Sequence, residues 1–348
     1  MFRRVQAAPG NAPPVLVFHP DYLRHVQSPW HVESPGRLKA ILTSLKSCGY
    51  AEGALKPQAA GIDDLKRVHT PEYLEYLKEF GEGALDPDTT MHPETWDIAR
   101  LAVGGAVLAA EMAVKEKRGY IALVRPPGHH AGPDYPGGFC YLNNVAVAAH
   151  SLLDRLDRVA ILDFDVHHGN GTNDIFYREP RVLYISTHQY RIYPGTGPAE
   201  AVGEGDGIGF TVNIPFASGC GDSSFRMAEK EIIEPIVRQF APQAILVSLG
   251  TDAHYMDPLA SLTLSSPGYV EILESTLRLA EEICDRRLAI TLEGGYNLEA
   301  LAEVVTATEA LLRGDRQRMV FTEVRDPDCA GRRIVQLVKD VQRRYWNL

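Results

Sequence analysis

An apolar run that empties abruptly into two carboxylates, two imidazoles and a glycine-rich turn, ILDFDVHHGNGT over residues 161–172, constrains this chain more than any other stretch. The lead-in at 158–162 reads as a buried strand. Side chains alternate across a strand, so Asp163, Asp165 and His167 are expected on one side of the sheet, with Phe164 and Val166 on the other. Such a cluster costs several kcal/mol to desolvate unless a cation or hydrogen bonds compensate it. An Asp/His pair two residues apart is half of a metal site; the competing reading is a salt-bridged strand end.

The pattern around this stretch predicts an α/β fold. Apolar runs at 15–18, 121–124, 159–163, 182–186, 211–214, 244–249 and 288–292 read as strands. Helical patterns at 34–45, 70–80, 94–117, 140–153, 224–240 and 267–283 lie between them, which is the signature of a parallel sheet covered by helices on both faces. The segment 86–93 reads as a loop of turn formers. Ligands in such sheets bind beyond the carboxyl ends of the strands, and the chemically suggestive residues here follow strands. There is no charge run or low-complexity linker, and candidate site residues extend from the first third to the last. Residues 1–348 are therefore expected to form one domain, with a core over about 15–312 and a helical tail over 332–348.

The 35 Lys and Arg against 45 Asp and Glu give a formal charge of −10, so no electrostatic footprint for nucleic acid or an anionic membrane is expected. The five cysteines are scattered without a CxxC pair, which favours a reducing compartment. The lead MFRRVQAAPGNAPP carries basic residues but no apolar core, and the longest apolar run, 101–110, is too short to span a bilayer. A cytoplasmic protein is expected. The spacing of His19, His25 and His31 fits no local chelate, and they read as loop or entrance residues.

A catalytic zinc takes three protein ligands and leaves a position open. Asp165 and His167 supply two, and the strand that breaks at Gly250 into Thr251-Asp252 offers Asp252 as the third, although a helix-capping aspartate is the plainer reading. Past another strand, RPPGHH delivers His129 and His130 as proton handlers, each needing an orienting partner; Asp163 and Asn170 can provide one apiece. A carboxylate partner favours the imidazolium, and an amide partner leaves its histidine closer to neutral. Paired core histidines are the alternative. After the last strand, EGGYN lets the backbone approach the site and offers the Tyr296 hydroxyl to an oxyanion.

RPPGHH at 125–130, DFDVHHGNGT at 163–172, SLGTD at 248–252 and EGGYN at 293–297 occur in this order. Together they resemble the zinc-dependent histone deacetylase family, including its acetylpolyamine amidohydrolase members. The resemblance implies the arginase/deacetylase fold, a single domain with an eight-stranded parallel sheet. It implies one zinc ion per chain on Asp165, His167 and Asp252, with ferrous iron as the alternative metal. His130 would be general base and acid, His129 its electrostatic partner, and Tyr296 the group that polarises the amide carbonyl. Gly138, Phe139 and Tyr193 would wall an acyl-lysine channel, Asp88 would hold the substrate backbone at the rim, and Ser186 with the Asp163 backbone would match a structural potassium site. Arginases carry further carboxylates where this chain has Gly169 and His254, so one metal is expected. Leu259 stands where polyamine-specialised members place a glutamate. Such a neutral gate favours acetylated lysine in proteins or peptides over acetylated polyamines, and a silent domain that binds acyl-lysine without turnover is the reading of another class. The resemblance leaves the oligomeric state open.

Overall fold

Three of the apolar runs, Val159–Asp163, Ala244–Leu249 and Leu288–Leu292, are buried at every residue, as central parallel strands covered on both faces must be. The computed structural model describes residues 15–326 and 328–348; the basic lead over 1–14 lies outside the described residues. From its first strand the chain runs β1 (Leu16–Val17), α1 (Pro35–Ser47), α2 (Ile62–Leu65), α3 (Pro71–Phe80), β2 (Gly83–Asp86), β3 (Thr89–Met91), α4 (Thr95–Glu116), β4 (Gly119–Ala122) and α5 (Asn144–Leu152). It continues through β5 (Val159–Asp163), α6 (Asn170–Phe176), β6 (Val182–Gln189), β7 (Thr211–Phe216), α7 (Asp222–Ala228), α8 (Glu234–Phe240), β8 (Ala244–Leu249), α9 (Ser266–Cys284), β9 (Leu288–Leu292), α10 (Leu298–Leu312) and α11 (Arg332–Gln342).

Seven strands pair in the order β1-β4-β9-β8-β5-β6-β7, all parallel. Each overlaps one of the runs read from the sequence, and helices flank the sheet in a single α/β domain. The eight strands implied by the resemblance become seven among the described residues. The other extended segments, β2 and β3, pair only with each other as an antiparallel ribbon; β3 falls inside the segment 86–93 that reads as loop, and β2 ends at its first residue. Helix α4 packs on α5, while α10 packs on α1 and α9. In α4 the small residues allow close approach: a Cβ at Gly104 would come within 1.8 Å of the Gln58 carbonyl oxygen.

Two helices differ from expectation. The loop after β4 runs on to Asn143, whose side chain caps α5 by accepting from the Ala146 N–H, so that helix starts later than Cys140. The segment expected as one helix over 224–240 is α7 and α8 joined by a π turn at Glu229–Ile233. Pro235 contributes no N–H and would clash with the carbonyl one turn back, and the wider turn relieves both. The tail is packed: α11 buries Val335 and Val338 beside β7 and α7, and Trp346 donates to the Gly209 carbonyl at 2.9 Å. All five cysteines are free and buried. Among the described residues no helix is long and apolar enough to cross a membrane.

Candidate active site

After β4 the chain passes over two positions in the sheet before laying down β5, and β9 and β8 later fill them. Strand order therefore reverses there, and this is where open α/β sheets form a crevice. Asp163 lies opposite Ser248, and Ser248 opposite Thr291, so the strand ends are level. Four neighbouring strands release their loops into one place.

Asp165, His167 and Asp252 meet there with one ligand atom each inside 4.8 Å. His167 Nδ1 is 3.1 Å from Asp165 Oδ1 and 3.2 Å from Asp252 Oδ2. Strand β5 stops at Asp163, so simple alternation does not carry through to His167, and Asp163 stands outside this cluster. Main-chain donors hold the carboxylates instead: Gly294 N–H to Asp165 Oδ2 at 2.8 Å, His167 N–H to Asp165 Oδ1 at 2.9 Å, and Val166 N–H to Asp252 Oδ1 at 3.0 Å. Glycines at 250 and 294 make the room, since a Cβ at Gly250 would sit 2.0 Å from Asp165 Oδ2. Burial, then the Asp165 charge, pushes the Asp252 carboxyl well above the usual carboxylate range. Asp252 Oδ2 is buried without a properly aligned hydrogen-bond partner. Two buried carboxylates and one imidazole, with an oxygen left unsatisfied, fit a divalent cation.

The two histidines have different partners. His129 Nδ1 is 3.1 Å from Asp163 Oδ2, an oxygen that also accepts from the Tyr184 hydroxyl at 2.9 Å. Burial disfavours the His129 imidazolium, but Asp163 and Asp165 outweigh it and hold the group up to about 10. His130 Nδ1 faces the Asn170 side-chain oxygen at 2.8 Å. Burial, followed by the positive charge of His129 and His167, drives His130 well below the ordinary histidine value. Glu293 ties this loop to the last strand, accepting from the Gly128 and His129 N–H groups at 2.7 and 3.2 Å and from Ser248 Oγ at 3.0 Å.

Tyr296 follows on a turn fixed by Asp257, whose Oδ2 accepts from the Tyr296 and Asn297 N–H groups at 2.7 and 3.1 Å. The Arg37 guanidinium lies 5.0 Å from the centre of the Tyr296 ring and donates to the Gly295 carbonyl at 2.7 Å. Behind it is a fully buried set that sequence reasoning missed. Glu33 accepts from Arg125 Nη2 at 2.7 Å and from Arg37 Nη1 at 3.2 Å. Burial alone would raise the Glu33 carboxyl, yet Arg125 above all lowers it to about 2.

A cavity of about 470 Å³ opens over His129, His130, Asp165, His167 and Tyr296. Gly138, Phe139, Tyr193, Leu259 and Asp88 all line it. Gly138 has φ +53°, and a Cβ there would lie 2.4 Å from the His130 ring. The Tyr193 ring meets His130 edge-on at 5.0 Å, and Phe139 meets Tyr296 edge-on at 5.9 Å. Asp88 sits exposed between β2 and β3, its N–H donating to Asp86 Oδ1 at 2.8 Å. Asp163, Asn170 and Asp252 do not line the cavity and act from behind it. Of the early histidines, His31 packs edge-on against Phe139 at 4.6 Å and His19 caps a short 3-10 turn. His25 is not an entrance residue: it is buried 3.6 Å from Glu33, because that carboxylate draws polar groups inward. Trp30, 94% exposed at the mouth, was also missed; an isolated Trp in a Pro-rich loop carries no pattern.

A histone deacetylase domain is recognised over residues 31–312. A probable deacetylase of Archaeoglobus fulgidus is 46% identical over 292 residues, which cover 82% of this chain and 81% of that protein. Histone deacetylase 10, chloroplastic, of Oryza sativa subsp. japonica is 41% identical over 276 residues, 74% of this chain and 62% of that one. The crystal structure of the HDA15 HD domain matches with a TM-score of 0.86 at 33% identity, over 95% of this chain and 96% of that one. Its sequence, its fold and its strand-end cluster agree on one conclusion: the chain belongs to the histone deacetylase family, enzymes that act on amides.

Proposed function

We propose that the protein is a zinc-dependent amidohydrolase that removes acetyl and related acyl groups from acyl-lysine side chains of proteins or peptides. The observation that carries this reading is the convergence of Asp165, His167 and Asp252 within 4.8 Å beneath a cavity that also holds two differently tuned histidines. A zinc ion on these three side chains would supply Lewis acidity for the amide carbonyl and its attacking water. His130, kept neutral, takes the proton of that water and returns it to the departing amine. His129, paired with Asp163, stays an imidazolium and favours the negative charge that develops nearby. Tyr296 donates its phenolic proton in a hydrogen bond to the tetrahedral oxyanion, and collapse releases acetate and the free amine.

Phe139 and Tyr193 would sandwich the aliphatic stem, Gly138 would leave it room, and Asp88 would hold the substrate backbone at the rim. Leu259, 37% exposed at the mouth, offers no charge to a second ammonium, which favours acyl-lysine over acetylpolyamines. A potassium ion at Ser186 and the Asp163 backbone is a further part of the proposal. There Ser186 Oγ lies 2.9 Å from His188 Nδ1 and the Asp163 carbonyl accepts from Thr187 Oγ1 at 3.3 Å, and each oxygen keeps a lone pair for a cation. Cytoplasmic residence rests on the five free cysteines.

Acetyl-lysine peptides and acetylpolyamines, assayed side by side with zinc and with a chelator, test the reading. Chelator-sensitive turnover of the peptides is expected. Turnover of acetylpolyamines alone sinks the lysine assignment, and peptide binding without turnover by the zinc-loaded protein points to the silent-domain alternative.

A further inference from the structure

We propose that Tyr135 and Asp174 are positioning residues that lock the Asn170 amide, and through it the His130 ring, in the orientation that proton transfer needs. The inference rests on reading His130 as the general base.

Asn170 and Asp174 are one turn apart on α6, so their side chains lie one above the other. Tyr135, from the loop between β4 and α5, reaches across both. Its hydroxyl donates to Asp174 Oδ2 at 2.5 Å and receives the Asn170 Nδ2–H at 3.2 Å. The other Asp174 oxygen accepts from Asn173 Nδ2 at 3.2 Å. The tyrosine is held closely, since a Cβ at Gly132 would come within 2.2 Å of its ring.

The polarity of the chain follows from donors and acceptors alone. An ionised Asp174 has no proton to give, so the phenolic proton must point to it. Burial and that carboxylate both raise the Tyr135 pKa, so the proton stays available. The hydroxyl oxygen can then only accept from Asn170, and the amide must turn its NH2 toward Tyr135 and its carbonyl toward His130. A carbonyl only accepts, so His130 Nδ1 carries the hydrogen and Nε2 keeps its lone pair for the cavity. With the amide reversed, its N–H would claim Nδ1 and put the imidazole proton on Nε2, where it blocks base catalysis.

His129 needs no such device, because either oxygen of Asp163 accepts its proton. An amide partner has two unlike ends and must be directed. Asp174, exposed on α6, directs it from two groups away, so the partner of His130 Nδ1 stays an uncharged amide.

The test is a double-mutant cycle on the zinc-loaded protein. Tyr135→Phe and Asp174→Ala should each lower kcat on an acetyl-lysine peptide about tenfold, at unchanged KM and melting temperature. In an Asn170→Asp background, where both oxygens accept, the same substitutions should change kcat less than about twofold. Nitrogen-15 spectra of the His130 ring should show hydrogen on Nδ1 in the wild type and a mixture of tautomers in Tyr135→Phe. Equal kcat losses in both backgrounds, or an Nδ1 hydrogen that neither substitution disturbs, overturns the proposal. If the wild type cleaves no acylated amine, the reaction assigned above falls, while the nitrogen signature still decides the lock.

Discussion

Replacing Gly294 with alanine adds one methyl group at the back of the proposed metal site. Its Cβ would lie 2.2 Å from Asp252 Oδ2 and 2.5 Å from Asp165 Oδ2, against a normal carbon–oxygen approach of roughly 3.3 Å. Each oxygen must retreat by about 1 Å, several times the roughly 0.2 Å tolerance of a metal–ligand distance. Neither can do so freely. Asp165 is pinned through both oxygens by the Gly294 and His167 N–H groups, and Asp252 by the Val166 N–H. The overpacking costs about 1–3 kcal/mol of stability, which the domain can bear. The expected result is therefore a folded protein with zinc affinity weakened at least about tenfold and kcat/KM lowered about 100-fold. Zinc competition against a chromophoric chelator, with a melting curve and peptide turnover, reads all three. Stoichiometric zinc at wild-type affinity with kcat/KM within about twofold would refute the assigned ligand set.

Tyr296→Phe should lower kcat by about 10²–10³ while zinc content stays at one per chain; unchanged turnover removes its oxyanion role. Arg125→Met leaves the buried Glu33 with Arg37 as its remaining guanidinium and should cost about 3–5 kcal/mol in urea unfolding. Glu33 titrates near 2 when folded against 4.5 otherwise, so its contribution is complete above about pH 4.5 and fades toward pH 2. The gap between Arg125→Met and wild type should narrow over that window, and a gap that is flat with pH contradicts the pairing. Glu229 behaves oppositely. Buried with no well-aligned hydrogen bond to either oxygen, it is pushed by that burial from 4.5 up to about 7 against a weak opposing contact from Ser275, so its favourable contribution holds below pH 4.5 and is lost as pH rises through 7. Glu229→Gln should match wild type near pH 4.5 and exceed it by up to roughly 3 kcal/mol above pH 7; a difference independent of pH speaks against it.

Much of this molecule is written locally. A strand buried on both faces is largely apolar, so each of the seven strands of the main sheet overlaps a readable run, although β6 continues through the buried Ser186, Thr187, His188 and Gln189, and the sheet itself delivers whatever follows them to a common edge. That is why Asp165, His167, Asp252, His129, His130 and Tyr296 are legible in the sequence. The ribbon of β2 and β3 is hidden because strands of only four and three residues, GALD and TTM, are too short to show an alternation. Glu33, Arg37 and Arg125 carry the letters of surface residues, and only their mutual pairing explains their burial. The relation of Tyr135 to Asn170 and Asp174 spans a βα crossover, and no periodicity links them.

Strand β9 is the last of the sheet to be made and takes its place between β4 and β8, in the middle. A nascent chain that has not yet reached residue 288 therefore carries His129 and His130 without Tyr296 and leaves two central strand edges bare. Partial products of synthesis or proteolysis should be inert and prone to stick to one another, so turnover measured in a cell counts finished polypeptides alone.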